Sequence, residues 1–581
     1  MQTRILVSTD VKASRKFLEL VKKKNNAHNL PHRISALYAR CERTGQCTDT
    51  DQRVYQAICK DLYANGKQAE VECKRVGRFA WSRMLASVGR MVQYANEEYR
   101  RAKRRQADSA GVTAEAAFAR AKRNRSDVYD ELRRVQARSL ELRETDLHLR
   151  AAEQAERQNT TTANAIKAIL KREQQASLYP QLRHWVNGAS NGAIDELWVP
   201  DNPLDLRNTT WSALVERQAI FEALIKNGKE HFHQASSTPF VNGLIAEYLG
   251  PFEFNKYSQQ ILKGEFDIDS ISENIQLRAI MKAMSHSDPR NPISSDSELT
   301  VEKLRIGFGF IPESTSSGAE CFHHGIWKTL IKDDEAFEPY ATMILFAFKF
   351  GEPPDAWTTS HQVLLGKDDL GEPIKITRIH RIQLVSAGMN MGCRIIWGHE
   401  MLQRALRHGI ISPYQFGGIN GRMSISCVLL KRTSYDIIRL MRLVAIIFDN
   451  DATAAYDRMI PSQCMIVSAR AGVNENAIKL KLTALQQMKY YVKTAYGTSS
   501  EYFCNTILRN VLGMLQGSTE VCPIWSLNSS IQLGVLDQEH PPAKFPSPRP
   551  TVYTERNGEA FVDDTTLWDT DKEVTLKEMA A

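Results

Sequence analysis

Three short segments stand in order near the C-terminus of this 581-residue chain. The first is Phe448-Asp449-Asn450-Asp451-Ala452-Thr453-Ala454-Ala455-Tyr456-Asp457, the second Gln516-Gly517-Ser518, and the third Phe561-Val562-Asp563-Asp564. Aspartates in this arrangement suit two-metal nucleotidyl transfer. Such chemistry needs carboxylates from separate strands converging on two divalent cations. One cation activates the attacking oxygen and the other neutralises the leaving pyrophosphate. No other part of the chain offers a comparably ordered set.

The elements that must position these groups are legible nearby. Leu443–Phe448 is a continuous apolar run ending in acids, which predicts a buried strand that delivers Asp449 and Asp451. Positions two apart share a face of a strand. Asp457 falls where a helix should begin, and acids that cap a helix would also account for this segment. Gln516-Gly517-Ser518 predicts a turn ahead of a helix from Pro523 to Leu536. Gly558–Val562 and Thr565–Trp568 flank Asp563-Asp564, with an apolar strand on the near side, which predicts a β-hairpin with two acids at its tip. The same dipeptide occurs at Asp333-Asp334 and Asp368-Asp369, where a solvated loop suffices. The pair at 563–564 differs in having the acidic strand and the glycine turn upstream of it.

With 43% hydrophobic and 24% charged residues the chain reads as soluble, folded and built of several units. It has no run of 18 apolar residues, so neither a membrane span nor a membrane partner is expected. The N-terminus lacks the apolar core of a secretory signal, and the ten cysteines are scattered. These features predict an intracellular protein, nuclear or cytoplasmic, and not a secreted one. Cys41, Cys47, Cys59 and Cys73 have no zinc-site spacing and are expected to be buried thiols.

Charge divides the chain. Residues 1–180 hold 36 Lys and Arg against 21 Asp and Glu, and the remainder 39 against 46. A basic half suggests a polyanion partner, with a solvated helical surface as the alternative. Residues 80–175 are rich in Ala, Arg, Glu, Leu and Gln, which predicts long helices. Two clusters are candidate nucleic-acid contacts: Arg100, Arg101, Lys103, Arg104, Arg105, and Arg120, Lys122, Arg123, Arg125. The expected organisation is a basic helical region over 1–180 and a helical extension over 181–299, whose turn-rich stretch 182–207 reads as a linker. A fingers-like region over 300–440 and a palm over 441–581 follow.

The C-terminal segments resemble reverse transcriptases, most closely those of non-LTR-type retroelements of diatoms and related protists. The likeness rests on Phe448–Thr453, Tyr456-Asp457-Arg458, Ile460-Pro461-Ser462, Met488–Ala495, Gln415-Phe416-Gly417 with Gly421-Arg422, and Phe561–Thr566. Thr238–Val241 and Leu365–Asp368 are similar too, and the resemblance spans roughly 230–570. It implies an α+β fold, the fingers and palm of a right-hand polymerase, with an antiparallel palm sheet packed on helices. It also implies Mg²⁺ or Mn²⁺ as cofactor, and an RNA template, a DNA primer and dNTPs as partners.

By position, Asp451, Asp563 and Asp564 match the catalytic, metal-binding aspartates, and Ala452 would lend a carbonyl to the metal. Tyr456 matches an aromatic gate against a ribose 2′-hydroxyl. Gln516 and Gly517 match the lining of the template–nucleotide pocket. Lys375, Arg378 and Arg381 match the segment that reaches the triphosphate, a task suited to charge-assisted hydrogen bonds.

The chain departs from the family pattern at His380, Gly388-Met389-Asn390 and Thr519–Pro523. Only 17 residues follow Asp564, so the thumb is expected to be absent or truncated. The functional expectation is RNA-directed DNA synthesis. The alternative is an inactive retroelement relic that binds nucleic acid through residues 80–140. An RNA-dependent RNA polymerase would share the acids, but Tyr456 argues against it.

Overall fold

The computed structural model describes residues 6–73, 82–108, 112–158, 160–173, 194–286, 292–294, 299–367, 372–547 and 552–571. The chain divides into two compact units. Lys74–Asn191 forms one, and Met1–Cys73 with Gly192–Ala581 forms the other. This division departs from a single basic region over 1–180. The helices Val11–Ala27, Leu30–Thr44 and Asp49–Glu72 bury Phe17, Ile34, Tyr55 and Leu62 in the core of the larger unit.

Specific contacts fix that packing. Tyr55 Oη donates to the Met343 carbonyl at 2.7 Å, and its ring stacks on Phe346 at 4.2 Å. Tyr340 Oη donates to the Leu62 carbonyl at 2.9 Å. Net charge could not reveal this, because it is carried by the solvent faces and packing by the apolar ones. Helix Asp49–Glu72 starts from a capping box of Thr48 and Asp51, which satisfies two otherwise orphaned amides. Cys41, Cys59 and Cys73 are buried and Cys47 is half-buried, all as free thiols.

The smaller unit contains helices Arg83–Asp108, Val112–Ala137 and Ser139–Gln158, with further helix over 162–173. Its buried positions are mostly small, including Ala95, Ala121, Ala151, Ala155 and Ala165. Small residues let helices approach closely but bury little apolar area per residue.

In the larger unit, strands β1 (Leu197–Pro200) and β2 (Trp211–Leu214) form an antiparallel hairpin within and just beyond the stretch read as a linker. Backbone bonds explain it. Trp198 N donates to the Ile374 carbonyl, and Ile376 N donates to the Trp198 carbonyl, each at 2.9 Å. Strands β3 (Thr359–Gly366), β4 (Ile379–Leu384), β6 (Lys489–Thr494) and β7 (Gly497–Phe503) form a four-stranded sheet in the order β4-β3-β6-β7. Only β3–β6 is parallel among its pairs. The sheet therefore joins strands from both sides of the boundary expected at 440.

A second sheet holds β5 (Val444–Asp451), β10 (Gly558–Phe561) and β11 (Asp564–Asp571), antiparallel in the order β10-β11-β5. Strands β8 (Ala543–Pro546) and β9 (Tyr553–Arg556) pair with each other. Ile437 and Ile438 of helix Ser424–Met441, together with Ile447 of β5, pack against Ala543, Phe545 and Trp568. The apolar run ending at Phe448 does form a strand, but it is not buried. Val444–Ile447 are half-buried and Phe448 is 60% exposed. Ile447 packs on the Phe545–Trp568 cluster, so by strand alternation Phe448 lies on the opposite face. The whole is mixed α/β, largely helical with small sheets. Among the described residues no helix is long and apolar enough to cross a membrane.

Candidate active site

The register of β5 and β11 sets Asp451 opposite Asp564, and Asp449 opposite Thr566. Directly opposed residues have Cβ atoms about 4.5–5.5 Å apart. Phe561 pairs with Asp564 across the tip, so Val562 and Asp563 alone connect β10 to β11. Ala452 N donates to the Asp563 carbonyl at 3.3 Å. Asp451, Asp563 and Asp564 thus come together from segments far apart in sequence. Burial, followed by the charges of Asp564 and Asp451, holds the Asp563 carboxyl above its usual range.

Hard carboxylate oxygens of this kind suit Mg²⁺ or Mn²⁺. Among the described residues no group of three or more His, Cys, Asp or Glu stands close enough to hold a metal ion.

The tip is strained. Val562 has φ 59°, a region that a β-branched residue rarely enters and that tight hairpins usually give to glycine. Surrounding contacts over-determine it. Val562 N donates to Gln415 Oε1 at 3.3 Å, and Trp525 Nε1 donates to the Val562 carbonyl at 2.6 Å. Gly417 is so close that a Cβ there would lie 2.0 Å from Val562 N. The Gln415-Phe416-Gly417 segment is therefore the seat of the hairpin.

Asp449 shares the face of Asp451. It accepts from Lys431 Nζ at 2.5 Å and from Thr566 Oγ1 at 2.6 Å, and these bonds, Lys431 first, hold its carboxyl below the usual range. A cleft of about 450 Å³ lies between helix Ser424–Met441 and the sheet, lined in part by Lys431, Asp449, Asp451, Glu559 and Asp564. Sequence reasoning missed Lys431. It lies on the helix preceding β5, and nothing local marks it.

Tyr456 is half-buried. Its Oη lies 3.1 Å from Cys522 Sγ and its ring meets Trp525 edge-on at 6.2 Å. Burial first, then Cys522 and the charge of Asp563, push its phenol up. The next residue, Asp457, does not act as an exposed cap. It is buried and lies 2.8 Å from His231 Nε2.

The Gln516-Gly517 turn is pinned on two sides. Gln383 N donates to the Gln516 carbonyl at 2.6 Å. Behind the turn Glu520 accepts from Ser518 Oγ and pairs with Lys481, both members of the ion pair being 0% exposed. Thr519 N donates to Asn390 Oδ1 at 2.9 Å. Two segments that depart from the family pattern thus meet at Asn390 and Thr519. The helix after the turn runs over Val521–Glu539.

The three candidate triphosphate contacts do not form one cluster. Lys375 and Arg378 precede β4, and Lys375 Nζ lies 5.0 Å from the Trp211 ring centre. Arg378 is exposed. Arg381 is a correction, since it is only 2% exposed. It donates to Gln362 Oε1 at 2.7 Å and to Asn227 Oδ1, and burial brings its guanidinium down to about 10. Alternation along β4 turns position 381 inward.

Arg100, Arg101, Lys103, Arg104, Arg120, Lys122 and Arg123 are exposed on the smaller unit. Arg101 pairs with Glu97 at 3.5 Å, and half-buried Arg125 lies 4.7 Å from the Tyr99 ring centre. The Arg105 side chain and residues 287–291 and 368–371, which include Asp368-Asp369, lie outside the described residues. No family model matches the chain, and no curated protein matches it significantly.

Proposed function

We propose that this chain is reverse-transcriptase-like and catalyses RNA-templated DNA synthesis. One observation carries the reading: the ladder that opposes Asp451 to Asp564 and bonds Ala452 to the backbone of Asp563. The resemblance of the same residues to the polymerase motifs supports it. Asp451, Asp563, Asp564 and the Ala452 carbonyl would hold the divalent cations. When bound, these cations supply activation of the primer 3′-oxygen and charge neutralisation at the pyrophosphate. Tyr456 crowds a ribose 2′-hydroxyl beside Asp563. Gln516 and Gly517 support the templating base, and their rigid seat preserves orientation, where a misplacement of about 1 Å costs about a hundredfold.

The second reading, an inactive relic that binds nucleic acid, draws on a specific observation. Among the described residues no acidic group is placed to hold a metal ion, whereas Arg100, Arg101, Lys103, Arg104, Arg120, Lys122 and Arg123 are exposed. Primer extension on an RNA template with dNTPs and Mg²⁺ or Mn²⁺ separates the two. Extension by this chain that is lost in Asp451→Asn and Asp563→Asn supports the polymerase. Retained RNA binding with no extension in either metal leaves the relic.

A further inference from the structure

The four-stranded sheet has two unlike faces. The inner face buries Ser360, Gln362, Arg381, Gln383, Tyr490 and Val492. Burial alternates strictly along β6, so Lys489, Tyr491 and Lys493 share the outer face. There the register sets His361 opposite Tyr491 and Tyr491 opposite Tyr502. The three rings form one cross-strand row, with centres 6.4 Å and 5.3 Å apart.

Tyr502 is 40% exposed, and Lys489 Nζ lies 5.5 Å from its ring centre. The lysines bracket the row two residues to either side of Tyr491. Burial, followed by the charge of Lys493, holds the His361 imidazole below its usual pKa and so keeps the ring neutral. Glu501, on the irregular edge strand β7, is the single carboxylate in these four strands.

Val363, Leu365, Ile382 and Leu384 make the β3–β4 half of this face apolar. Around Tyr491, rings flanked by ammonium groups match the two chemistries of a single strand, base π-faces and phosphates. We propose that this face is a stacking platform for single-stranded nucleic acid, with bases on Tyr491 and Tyr502 and phosphates on Lys489 and Lys493. The platform uses no metal and no nucleotide, so it stands independently of the polymerase reading.

The test uses the full chain and a fluorescent U-rich RNA of about 12 nucleotides in EDTA, with anisotropy measured across a salt series. Tyr491→Ala with Tyr502→Ala is expected to weaken binding at least about tenfold with the salt slope kept, since stacking is largely salt-independent. The Phe substitutions at both positions should retain affinity. Lys489→Gln with Lys493→Gln should flatten the log–log slope by about 1.4, at about 0.7 per phosphate contact.

The exposed arginines of the smaller unit would draw a polyanion by charge alone, so a second measurement isolates the sheet. Photo-crosslinking with 5-iodouridine RNA, mapped by mass spectrometry, should place adducts on Tyr491 or Tyr502. This works on the unmodified chain even if an alanine variant fails to fold. Crosslinks confined to residues 82–173, or unchanged affinity in a folded alanine variant, would overturn the proposal. Either outcome would leave this face to a protein partner.

Discussion

Replacing Lys481 with Met should cost far more than its position on a helix suggests. Lys481 and Lys479 are carried by the same helix, Glu475–Gln486, and each pairs with a glutamate. Lys479 is 55% exposed and lies 2.7 Å from Glu352, so its loss should cost about 0.2–1 kcal/mol. Lys481 and Glu520 are fully buried. Lys481→Met leaves the Glu520 carboxylate in the core without its cation, which costs about 3–5 kcal/mol. Removing both charges, in Lys481→Met with Glu520→Leu, should recover most of that loss, because desolvation nearly cancels the attraction of a buried pair.

Burial lowers the Lys481 ammonium pKa, but the Glu520 charge, followed by Cys393, more than offsets this and raises it above 10.5. The pair therefore contributes fully below the unfolded value of 10.5, and the contribution is lost as pH rises through the folded one. Urea unfolding followed by the fluorescence of buried Trp327, Trp357 and Trp397 gives the cycle. The reasoning fails if Lys481→Met shifts the midpoint no more than Lys479→Met, or if the double variant is worse than the single.

Burial pushes the Glu320 carboxyl up to about 7, above the unfolded 4.5. A folded pKa above the unfolded one means stability falls as pH rises between the two. The melting temperature should therefore drop from pH 5 to 8, and Glu320→Gln should flatten that drop; parallel profiles would refute the burial argument. Gly417→Ala forces a methyl onto Val562 N and should displace the hairpin tip, lowering Mn²⁺ affinity measured by electron paramagnetic resonance while the fold persists. Unchanged affinity would mean the tip is not seated there. Arg381→Met strands the oxygens of Gln362 and Asn227, at about 1–3 kcal/mol each. Unchanged stability with a raised KM for dNTP would instead show that Arg381 faces the triphosphate.

Local chemistry made the elements that carry the candidate site legible in advance. The apolar run before Asp449, the glycine turn at 517 and the flanked Asp563-Asp564 pair each specify their own element, because strand and turn preferences act over a few residues. Pairing across β5 and β11 then follows from the order of the segments. Other features needed the tertiary structure, because they depend on which face of an element is covered. Alternation was visible in β4, yet only packing showed that Arg381 lies on the inner face. The strand at 444–451 was legible, but which of its faces is covered, and hence the exposure of Phe448, was not. Lys431 reaches Asp449, and Lys481 neutralises Glu520, across separations that no local pattern encodes. The helices of residues 11–72 look like the basic helices that follow them, and only the apolar fit of Tyr55 and Leu62 against the 334–350 helix assigns them to the larger unit. Sequence determines what each segment can form; burial decides which of its charges remain free to meet a ligand.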